Sequence, residues 1–382
     1  MTTFYQTAST LRSGATTLPG RYYTSDAIFA EETEQIFYQR WVCVGRAEEV
    51  PQPGDYQLRS VGTESLIILR DKQGQVRAFY NLCRHRGTQL CPEAQGHFAG
   101  VIRCPYHAWG YGLNGELMAA PLMDQVAGFQ PQDWGLHGVA IAFWEGFIFV
   151  NLSAQPEPFE QAFAPLIERF SAWQIDRLQV GHRIDYTLQS NWKLIVQNYS
   201  ECYHCPTVHP ELVKLSSAGS SANDLYRGPF LGGPMAIDPP YSSLSRGGDR
   251  TLPLLGTVSG DDAQRAYYYL IFPNLLLSLQ PDFVMSHRLE PQAPGRTQVI
   301  CEWLFAPEAI AQPDFDPSPI VELWDQVNRQ DWEICGSMQR GVGSRAYQPG
   351  LYAAHESLLP EIDREVLNAL GHLDPATPTQ VE

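Results

Sequence analysis

Positive charge is scarce in this sequence of 382 residues. Its 26 lysines and arginines are outnumbered by 42 aspartates and glutamates, which gives a formal net charge of −16. A chain this acidic repels phosphate backbones and anionic lipid. We therefore expect neither nucleic acid nor a membrane surface as its partner.

Long apolar runs are also missing. The longest, Ala266 to Leu279, is interrupted by Pro273 and Asn274, whereas a membrane span needs roughly 20 apolar residues. Residues 1–18 show no basic segment followed by an apolar block, so we expect no secretory signal and a cytoplasmic location. In that compartment the eight cysteines are expected to be reduced thiols that bind metals before they form disulfides.

The composition, with 44% hydrophobic and 18% charged residues, is that of an ordered globular protein of two or three compact units. Residues 1–41 are expected to form an arm that ends in an entry helix, Ser25 to Trp41. Short runs with period two, separated by turn signals, predict a small all-β domain over residues 42–152. Residues 153–382 mix helical and strand patterns and predict an α+β domain, in which the Gly- and Ser-rich stretch 215–262 is expected to be a lid or mobile loop.

Two short cysteine–histidine motifs lie within the predicted β domain. The first is Cys83-Arg84-His85 and the second is Cys104-Pro105-Tyr106-His107. With eight cysteines and ten histidines in the chain, chance gives roughly 0.2 pairs of each spacing, so both motifs together are a rare coincidence. The thiolates and imidazoles can serve either a tetrahedral zinc ion or an iron–sulfur cluster with mixed ligands.

The order of these ligands resembles the Rieske family, whose C-x-H and C-x2-H motifs it matches in type and sequence. The resemblance implies a [2Fe-2S] cluster in which Cys83 and Cys104 hold one iron and His85 and His107 hold the other. Respiratory Rieske proteins carry one further cysteine in each loop, but this chain lacks them. It is therefore similar to the disulfide-free Rieske domains of oxygenases.

A second group of candidate metal ligands lies near residue 200. On the helix predicted from Asn191 to Cys205, Glu201 and His204 share one face, and Pro206 ends or kinks the helix so that His209 can approach His204. Two imidazoles need one carboxylate to complete a facial triad for non-haem iron. A zinc site that includes Cys202 is the rival, but Cys202 would point about 200° away from His204 on a helix.

The pattern N-W-K … E-x-Y-H-x4-H at Asn191 to His209 resembles the catalytic motif of Rieske non-haem iron oxygenase large subunits, over nearly the whole chain. Where family members often have an acidic residue, this chain has Gln197. The family's third ligand matches Asp331, with Asp325 and Glu333 as competitors. On a helix Asp331 would face the interior and Glu333 the solvent.

The resemblance implies an all-β Rieske domain followed by a helix-grip-like catalytic domain, with one [2Fe-2S] cluster and one mononuclear Fe(II) in each chain. It further implies that His204, His209 and Asp331 bind the iron, and that Glu201 bridges to the cluster of a neighbouring subunit in a homotrimer. An NAD(P)H-dependent flavin and iron–sulfur reductase, with or without a ferredoxin, would supply electrons for reduction of O2.

The substrate is predicted from the residues of the motifs alone. They are most similar to those of oxygenases acting on quaternary ammonium and N-methyl compounds, followed by phenylpropionate-type hydroxylases. Demethylation or monooxygenation is the first hypothesis, and aromatic ring dioxygenation is the alternative. A Rieske electron carrier without oxygenase activity and a zinc-binding structural protein are more distant hypotheses. Five residues are candidates for an aromatic cage around a quaternary ammonium: Tyr267, Tyr268, Tyr269, Phe272 and Phe283.

Overall fold

The structure is a computed structural model that describes residues 2–373. Phe37–Phe159 form one compact unit, and the residues on either side of this range form the other. Among residues 2–373, no helix combines the length and the apolar character that crossing a bilayer requires.

The unit Phe37–Phe159 contains three small antiparallel sheets. The period-two pattern explains its core, because Tyr56 pairs with Leu69 and Ile67 with Phe79, and all four side chains are buried in one cluster. This confirms the predicted all-β domain. Its strands are Val42–Arg46, Asp55–Val61, Glu64–Arg70, Val76–Tyr80, Gln95–His97, Val101–Arg103, Gly110–Gly112, Leu117–Ala119, Ala140–Trp144 and Phe147–Asn151. Short 3-10 helices lie at Ala47–Glu49, Met123–Gln125 and Pro131–Trp134.

The other unit is built on a seven-stranded antiparallel sheet, which confirms the α+β prediction. In spatial order its strands are Gln179–Leu188, Arg296–Phe305, Val284–Ala293, Leu275–Leu279, Arg265–Ile271, Phe230–Ala236 and Leu225–Tyr226. A two-stranded ribbon pairs Tyr5–Gln6 with Ala222–Asn223. The stretch 215–262 therefore contributes strands. Its sequence shows no clear strand pattern because Gly232, Gly233 and Pro234 interrupt the apolar residues.

Helices cover parts of this sheet and lie in its connections. The α-helices are Thr7–Thr10, Arg21–Thr24, Asp26–Glu32, Phe159–Ala162, Trp192–Tyr199, Cys205–Val208, Leu212–Leu215, Pro307–Ile310, Ser318–Val342 and Leu359–Ala369. A π-helical turn lies at Thr33–Phe37, and 3-10 helices lie at Ser171–Trp173, Ile175–Arg177, Ala218–Ser220, Gly260–Gln264 and Ala354–Glu356. After the helix Phe159–Ala162 the chain continues in turns up to the 3-10 helix Ser171–Trp173. The entry helix begins as predicted, with the Ser25 side chain accepting a hydrogen bond from the Ile28 amide.

The helix Trp192–Tyr199 is held from two sides. Lys193 and Glu32 form a fully buried ion pair, and the Trp192 indole donates to the other Glu32 oxygen at 2.8 Å. On the long helix Ser318–Val342, the Gln339 side-chain oxygen accepts from the Asn191 amide at 2.7 Å, next to the helix start. Removing one partner of a buried ion pair costs several kcal/mol, so these contacts hold the first turn of the helix in place.

Candidate metal centres

The first candidate centre lies in two loops of the unit Phe37–Phe159. The Gly87 amide donates to the Cys83 carbonyl at 2.9 Å, with Gly87 at φ +73°, a value that favours glycine. In the second loop the Cys104 amide donates to the Trp109 carbonyl at 2.8 Å. Cys83 and Cys104 are only 1% and 3% exposed, whereas His107 is exposed. The predicted sulfur ligands therefore point into the core and one predicted nitrogen ligand lies at the surface.

The two imidazoles of these loops lie side by side. The ring centroids of His85 and His107 are 4.8 Å apart, and the Trp109 ring stacks on His85 at 4.8 Å. Burial, with the charges of His107 and Arg86, lowers the pKa of His85. The neutral imidazole that metal binding requires is thus favoured.

Tyr111 is a site residue that the motifs did not reveal. It is fully buried, accepts a hydrogen bond from the Arg84 amide at 3.1 Å and lies 3.1 Å from the Cys83 sulfur. When Cys83 is a thiolate, as metal binding requires, the Tyr111 hydroxyl is the donor in this contact. Burial raises the pKa of the Cys83 thiol, and this hydrogen bond opposes the shift. In the sequence, Tyr111 could have been noticed as an aromatic residue four positions after His107, the last predicted cluster ligand.

This donor set fits a cluster with two unlike ends. Two buried thiols with a hydroxyl donor suit the ligation of one iron, and two imidazoles at the rim suit the other. Cys83, His85, Cys104 and His107 are therefore the residues that can hold a [2Fe-2S] cluster here.

The second candidate centre brings His204, His209 and Asp331 together. His209 lies at the end of the short helix Cys205–Val208, and Asp331 lies in the long helix Ser318–Val342. His204 Nε2 and His209 Nε2 are 3.1 Å apart, and Asp331 Oδ1 is 3.3 Å and 2.9 Å from them, respectively. These are the three ligands expected from the sequence.

The spacing of the three ligand atoms fits one metal ion with three adjacent octahedral positions. Ligands at about 2.1 Å from a metal and 90° apart lie about 3.0 Å from each other. The observed distances between His204, His209 and Asp331 lie from 2.9 to 3.3 Å. The triad leaves the opposite face of such an ion open for other ligands.

Hydrogen bonds at the far side of each imidazole fix the tautomers. His204 Nδ1 donates to Glu201 Oε1 at 2.5 Å, and His209 Nδ1 donates to Gln330 Oε1 at 2.8 Å. With both imidazoles neutral, the two Nε2 atoms carry lone pairs that face each other, an arrangement that a cation between them would satisfy. Gln330 was not predicted, although its position next to Asp331 could have suggested it.

The competitors of Asp331 are engaged elsewhere. Asp325 accepts from the Tyr186 hydroxyl at 2.6 Å and pairs with Arg329, and Glu333 is exposed, as predicted. In the triad, burial disfavours a charged imidazole, but hydrogen bonds to Asp331 and Glu201 outweigh it and raise the pKa of His204 to about 10. Burial would raise the pKa of Asp331, but its contacts with the two histidines lower it. The two carboxylates thus make the electrostatic potential favourable for a cation where the ligand atoms converge.

The local structure around Glu201 differs from the prediction. The helix ends at Tyr199, so Glu201 and His204 do not share a helical face. They lie in a turn in which Glu201 Oε2 accepts hydrogen bonds from the backbone amides of Tyr203 and His204. Pro206 begins the next short helix instead of ending the first. A carboxylate that accepts several local amides stabilises the turn more than another helical residue would.

Cys202 and Cys205 form a disulfide in this turn. The expectation of reduced thiols is therefore wrong for these two residues, while the other six cysteines remain thiols outside any disulfide. The cause is local, because the turn brings their Cα atoms to 5.0 Å, within the usual range for a disulfide. Paired in this way, Cys202 cannot serve as a zinc ligand with His204.

A cavity of about 110 Å³ adjoins the triad. Tyr268 lines it, and because side chains alternate along a strand, Tyr267 and Tyr269 lie on the opposite face of the sheet. Phe272 and Phe283 are buried away from this cavity. Of the five predicted cage residues, only Tyr268 is therefore near the triad. Tyr199 and Trp324 line the cavity too, although the sequence did not indicate them.

Behind the site, a carboxylate faces Gln197, the position at which the resemblance led us to expect an acidic residue. The Gln197 amide donates to Asp363 Oδ1 at 2.6 Å, and the Tyr352 hydroxyl donates to Asp363 Oδ2 at 2.7 Å. Burial raises the pKa of Asp363 to about 7 despite these hydrogen bonds. The acidic group is thus supplied by the helix Leu359–Ala369, far away in sequence.

Comparison with known proteins places both centres in one family. Residues 40–130 match the model of the Rieske [2Fe-2S] domain, and residues 175–371 match that of the ring hydroxylating alpha subunit catalytic domain. The chain is 38% identical over 339 residues to the carnitine monooxygenase oxygenase subunit of Acinetobacter baumannii, covering 87% of each protein. It is 32% identical over 370 residues to the glycine betaine monooxygenase oxygenase subunit of Chromohalobacter salexigens, covering 90% of this chain and 83% of that protein.

Solved structures agree with these matches. A quaternary ammonium Rieske monooxygenase that oxidises carnitine superposes with a TM-score of 0.79 at 27% identity, over 94% of this chain and 96% of that chain. Naphthalene 1,2-dioxygenase from Rhodococcus, at 20% identity and a TM-score of 0.71, shares the fold over 97% of both chains. The family uses a Rieske cluster and a mononuclear iron to activate O2. The chain belongs to the Rieske-type non-haem iron oxygenases, as a terminal oxygenase subunit.

Proposed function

We propose that this oxygenase removes an N-methyl group oxidatively from a quaternary ammonium or related N-methyl compound. The observation that carries the proposal is the facial triad of His204, His209 and Asp331 beside a cavity lined by aromatic rings. Such rings attract quaternary ammonium groups. The carnitine and glycine betaine monooxygenase subunits among its relatives support the same substrate class.

The proposed role of the triad is to bind the catalytic iron. Iron at this position supplies dioxygen activation, with single electrons delivered from the cluster. Glu201 and Gln330 hold the His204 and His209 rings in the tautomer that directs Nε2 to the metal. The balanced reaction consumes one O2, two electrons and two protons, and gives water and an N-hydroxymethyl product that releases formaldehyde.

For the cluster we propose that Cys83 and Cys104 bind one iron and that His85 and His107 bind the other. The burial of both sulfurs and the exposure of His107 support this orientation. An exposed histidine edge is where an electron can leave toward another protein surface.

We further propose that the enzyme works as a homotrimer in the cytoplasm and takes its electrons from an NAD(P)H-dependent flavin and iron–sulfur reductase. In this arrangement Glu201 accepts hydrogen bonds from His204 and from His107 of the partner subunit. The position of Glu201 at 2.5 Å from His204 Nδ1 supports its half of this bridge.

Metal analysis and turnover test these proposals together. Purified protein should contain three irons and two acid-labile sulfides in each chain. With a surrogate reductase, NADH-dependent oxygen consumption and formaldehyde release should respond to N-methyl cations in a panel that also contains aromatic acids. If only the aromatic acids were turned over, with diol products, the proposed function would be ring dioxygenation instead of demethylation.

A further inference from the structure

Part of the wall of the cavity beside the triad comes from the start of the chain. Among residues 2–373, Thr7 is the only residue before Asn198 that lines this cavity. It lies outside both segments that match the family models, 40–130 and 175–371. The N-terminal arm therefore contributes to the cavity, a role that neither family match assigns to it.

The backbone of the arm turns Thr7 inward. In the short helix Thr7–Thr10, Thr7 is 8% exposed, whereas the next two residues are exposed. Immediately before this helix, Tyr5–Gln6 pairs with Ala222–Asn223 in the two-stranded ribbon. Both residues of the second strand also line the cavity. The ribbon and Thr7 thus form one part of the wall.

Three side chains hold the helix Thr7–Thr10 against this wall. The Asn223 side-chain amide donates to the hydroxyls of Thr10 and Ser357, at 3.0 Å each. The two hydroxyls are 3.0 Å apart, and the Thr10 hydroxyl also lies 3.0 Å from the Thr7 carbonyl oxygen. Because Asn223 and Ser357 are buried, breaking these hydrogen bonds costs free energy. The cluster therefore fixes the position of Thr7.

Thr7 lies near the opening of the cavity. Of the lining residues in the part of the chain that the structure describes, only His355 is exposed, whereas His209 of the triad is buried. The cavity therefore runs from the triad to the surface at His355. The helix Thr7–Thr10 packs against the 3-10 helix Ala354–Glu356, which carries His355. A substrate that reacts at the triad thus extends its other end toward Thr7.

We propose that Thr7 is a specificity-determining residue that limits the length of the substrate. The cavity has a volume of only about 110 Å³, and closely packed walls yield little when a group of atoms is added. The limit is steric, so it applies to an N-methyl cation and equally to an aromatic acid. It goes beyond the proposed function, which concerns the reaction at the inner end of the cavity.

Two homologous series measure this limit in the holoenzyme with a fixed surrogate reductase. Methyl-, butyl- and hexyltrimethylammonium are assayed by formaldehyde release, and benzoate, 3-phenylpropionate and 5-phenylpentanoate by diol formation. The length ratio is defined as kcat/KM of the longest member that the parental enzyme turns over, divided by kcat/KM of the shortest. A general loss of stability lowers both values alike and leaves this ratio unchanged.

Four variants identify the residue responsible. Thr7→Ala removes two heavy atoms from the wall and should raise the length ratio by about tenfold, and Thr7→Phe should lower it by about tenfold or more. Thr10→Val removes the hydroxyl that Asn223 holds and should raise the ratio, because the arm is then bound less firmly. Ala8→Phe is the matched control, since it places the same ring at an exposed position of the same helix, and it should leave the ratio unchanged.

The outcomes separate this proposal from the proposed function. Equal length ratios in Thr7→Ala and the parental enzyme would overturn it. Equal effects of Ala8→Phe and Thr7→Phe would overturn it too, because the ring would then act through the fold of the arm. If Thr7→Phe lost the visible spectrum of the cluster, Thr7→Ala and Thr10→Val would decide. Absence of formaldehyde from every ammonium ion would contradict demethylation, and the length ratio would then be measured with the aromatic acids.

Discussion

The replacement Glu201→Gln tests the residue on which both proposed roles of the turn depend. It keeps a hydrogen-bond acceptor for His204 Nδ1 but removes the negative charge 2.5 Å from that nitrogen. Loss of a carboxylate behind a metal-bound imidazole usually weakens metal affinity by about 10 to 100-fold, which corresponds to about 1.4 to 2.7 kcal/mol. The pKa of His204 should fall too, which reduces competition from protons for the ring nitrogen. A divalent cation nevertheless loses more electrostatic stabilisation than a proton does when the carboxylate charge is removed, so iron binding is weakened.

Anaerobic titration with Fe(II) against a chelator measures this affinity, and the visible spectrum of the cluster reports whether the fold is intact. Glu356→Gln is the matched control. Its carboxylate interacts electrostatically with Glu201 and His204, but it caps the Ala353 amide and makes no hydrogen bond to the imidazole. We expect the control to bind iron within about threefold of the parental protein, because only a distant charge is lost.

Turnover at saturating iron separates the role of Glu201 in orienting His204 from its proposed role in electron transfer. If Glu201 also bridges to the neighbouring cluster, Glu201→Gln stays inactive when iron is fully loaded, although its cluster is still reducible. Full turnover at saturating iron would refute the bridge and keep the orienting role. Parental affinity together with parental turnover would refute both.

Three further predictions concern other parts of the two centres. His204→Ala should lose the mononuclear iron and keep the visible spectrum of the cluster; loss of both in metal analysis would indicate unfolding instead. Tyr111→Phe removes a hydrogen bond to the Cys83 sulfur, worth about 1 kcal/mol, and should lower the reduction potential by about 40 mV in a redox titration. The pKa of Asp363 is raised from 3.8 to about 7, so it contributes stability below pH 4 that is lost as pH rises through 7. Asp363→Asn should remove most of that loss, about 4 kcal/mol in full and about 2.6 kcal/mol between pH 5 and pH 8, and an unchanged difference between urea denaturation at these two pH values would refute this.

The candidate cluster ligands could be named from the sequence because the chemistry of each motif is local. Cys83 and His85 lie in one tight loop, Cys104 and His107 lie in another, and a loop fixes the relative positions of its own side chains. The all-β domain could be predicted because alternation on a half-buried sheet, as along the strand Asp55–Val61, leaves a direct trace in the sequence.

Contacts between distant segments left no comparable trace. Asp363 faces Gln197 from the last helix, and Asn328 fixes His287 from a different element. The disulfide between Cys202 and Cys205 was missed for a different reason. The expectation of reduced thiols rested on the compartment predicted for the chain and not on the local backbone, which turns after Tyr199.

The turn that replaces the predicted helix after Tyr199 supports the proposed Glu201 bridge to a neighbouring subunit better than a helix would. An ionised carboxylate has about four lone-pair positions for hydrogen bonds. Three donors already occupy Glu201, namely the amides of Tyr203 and His204 and the His204 ring. Those three fix its position firmly, and about one lone-pair position remains for a donor from outside the turn. A bridge to one histidine of another subunit needs a single acceptor held in a fixed place, and this turn provides one.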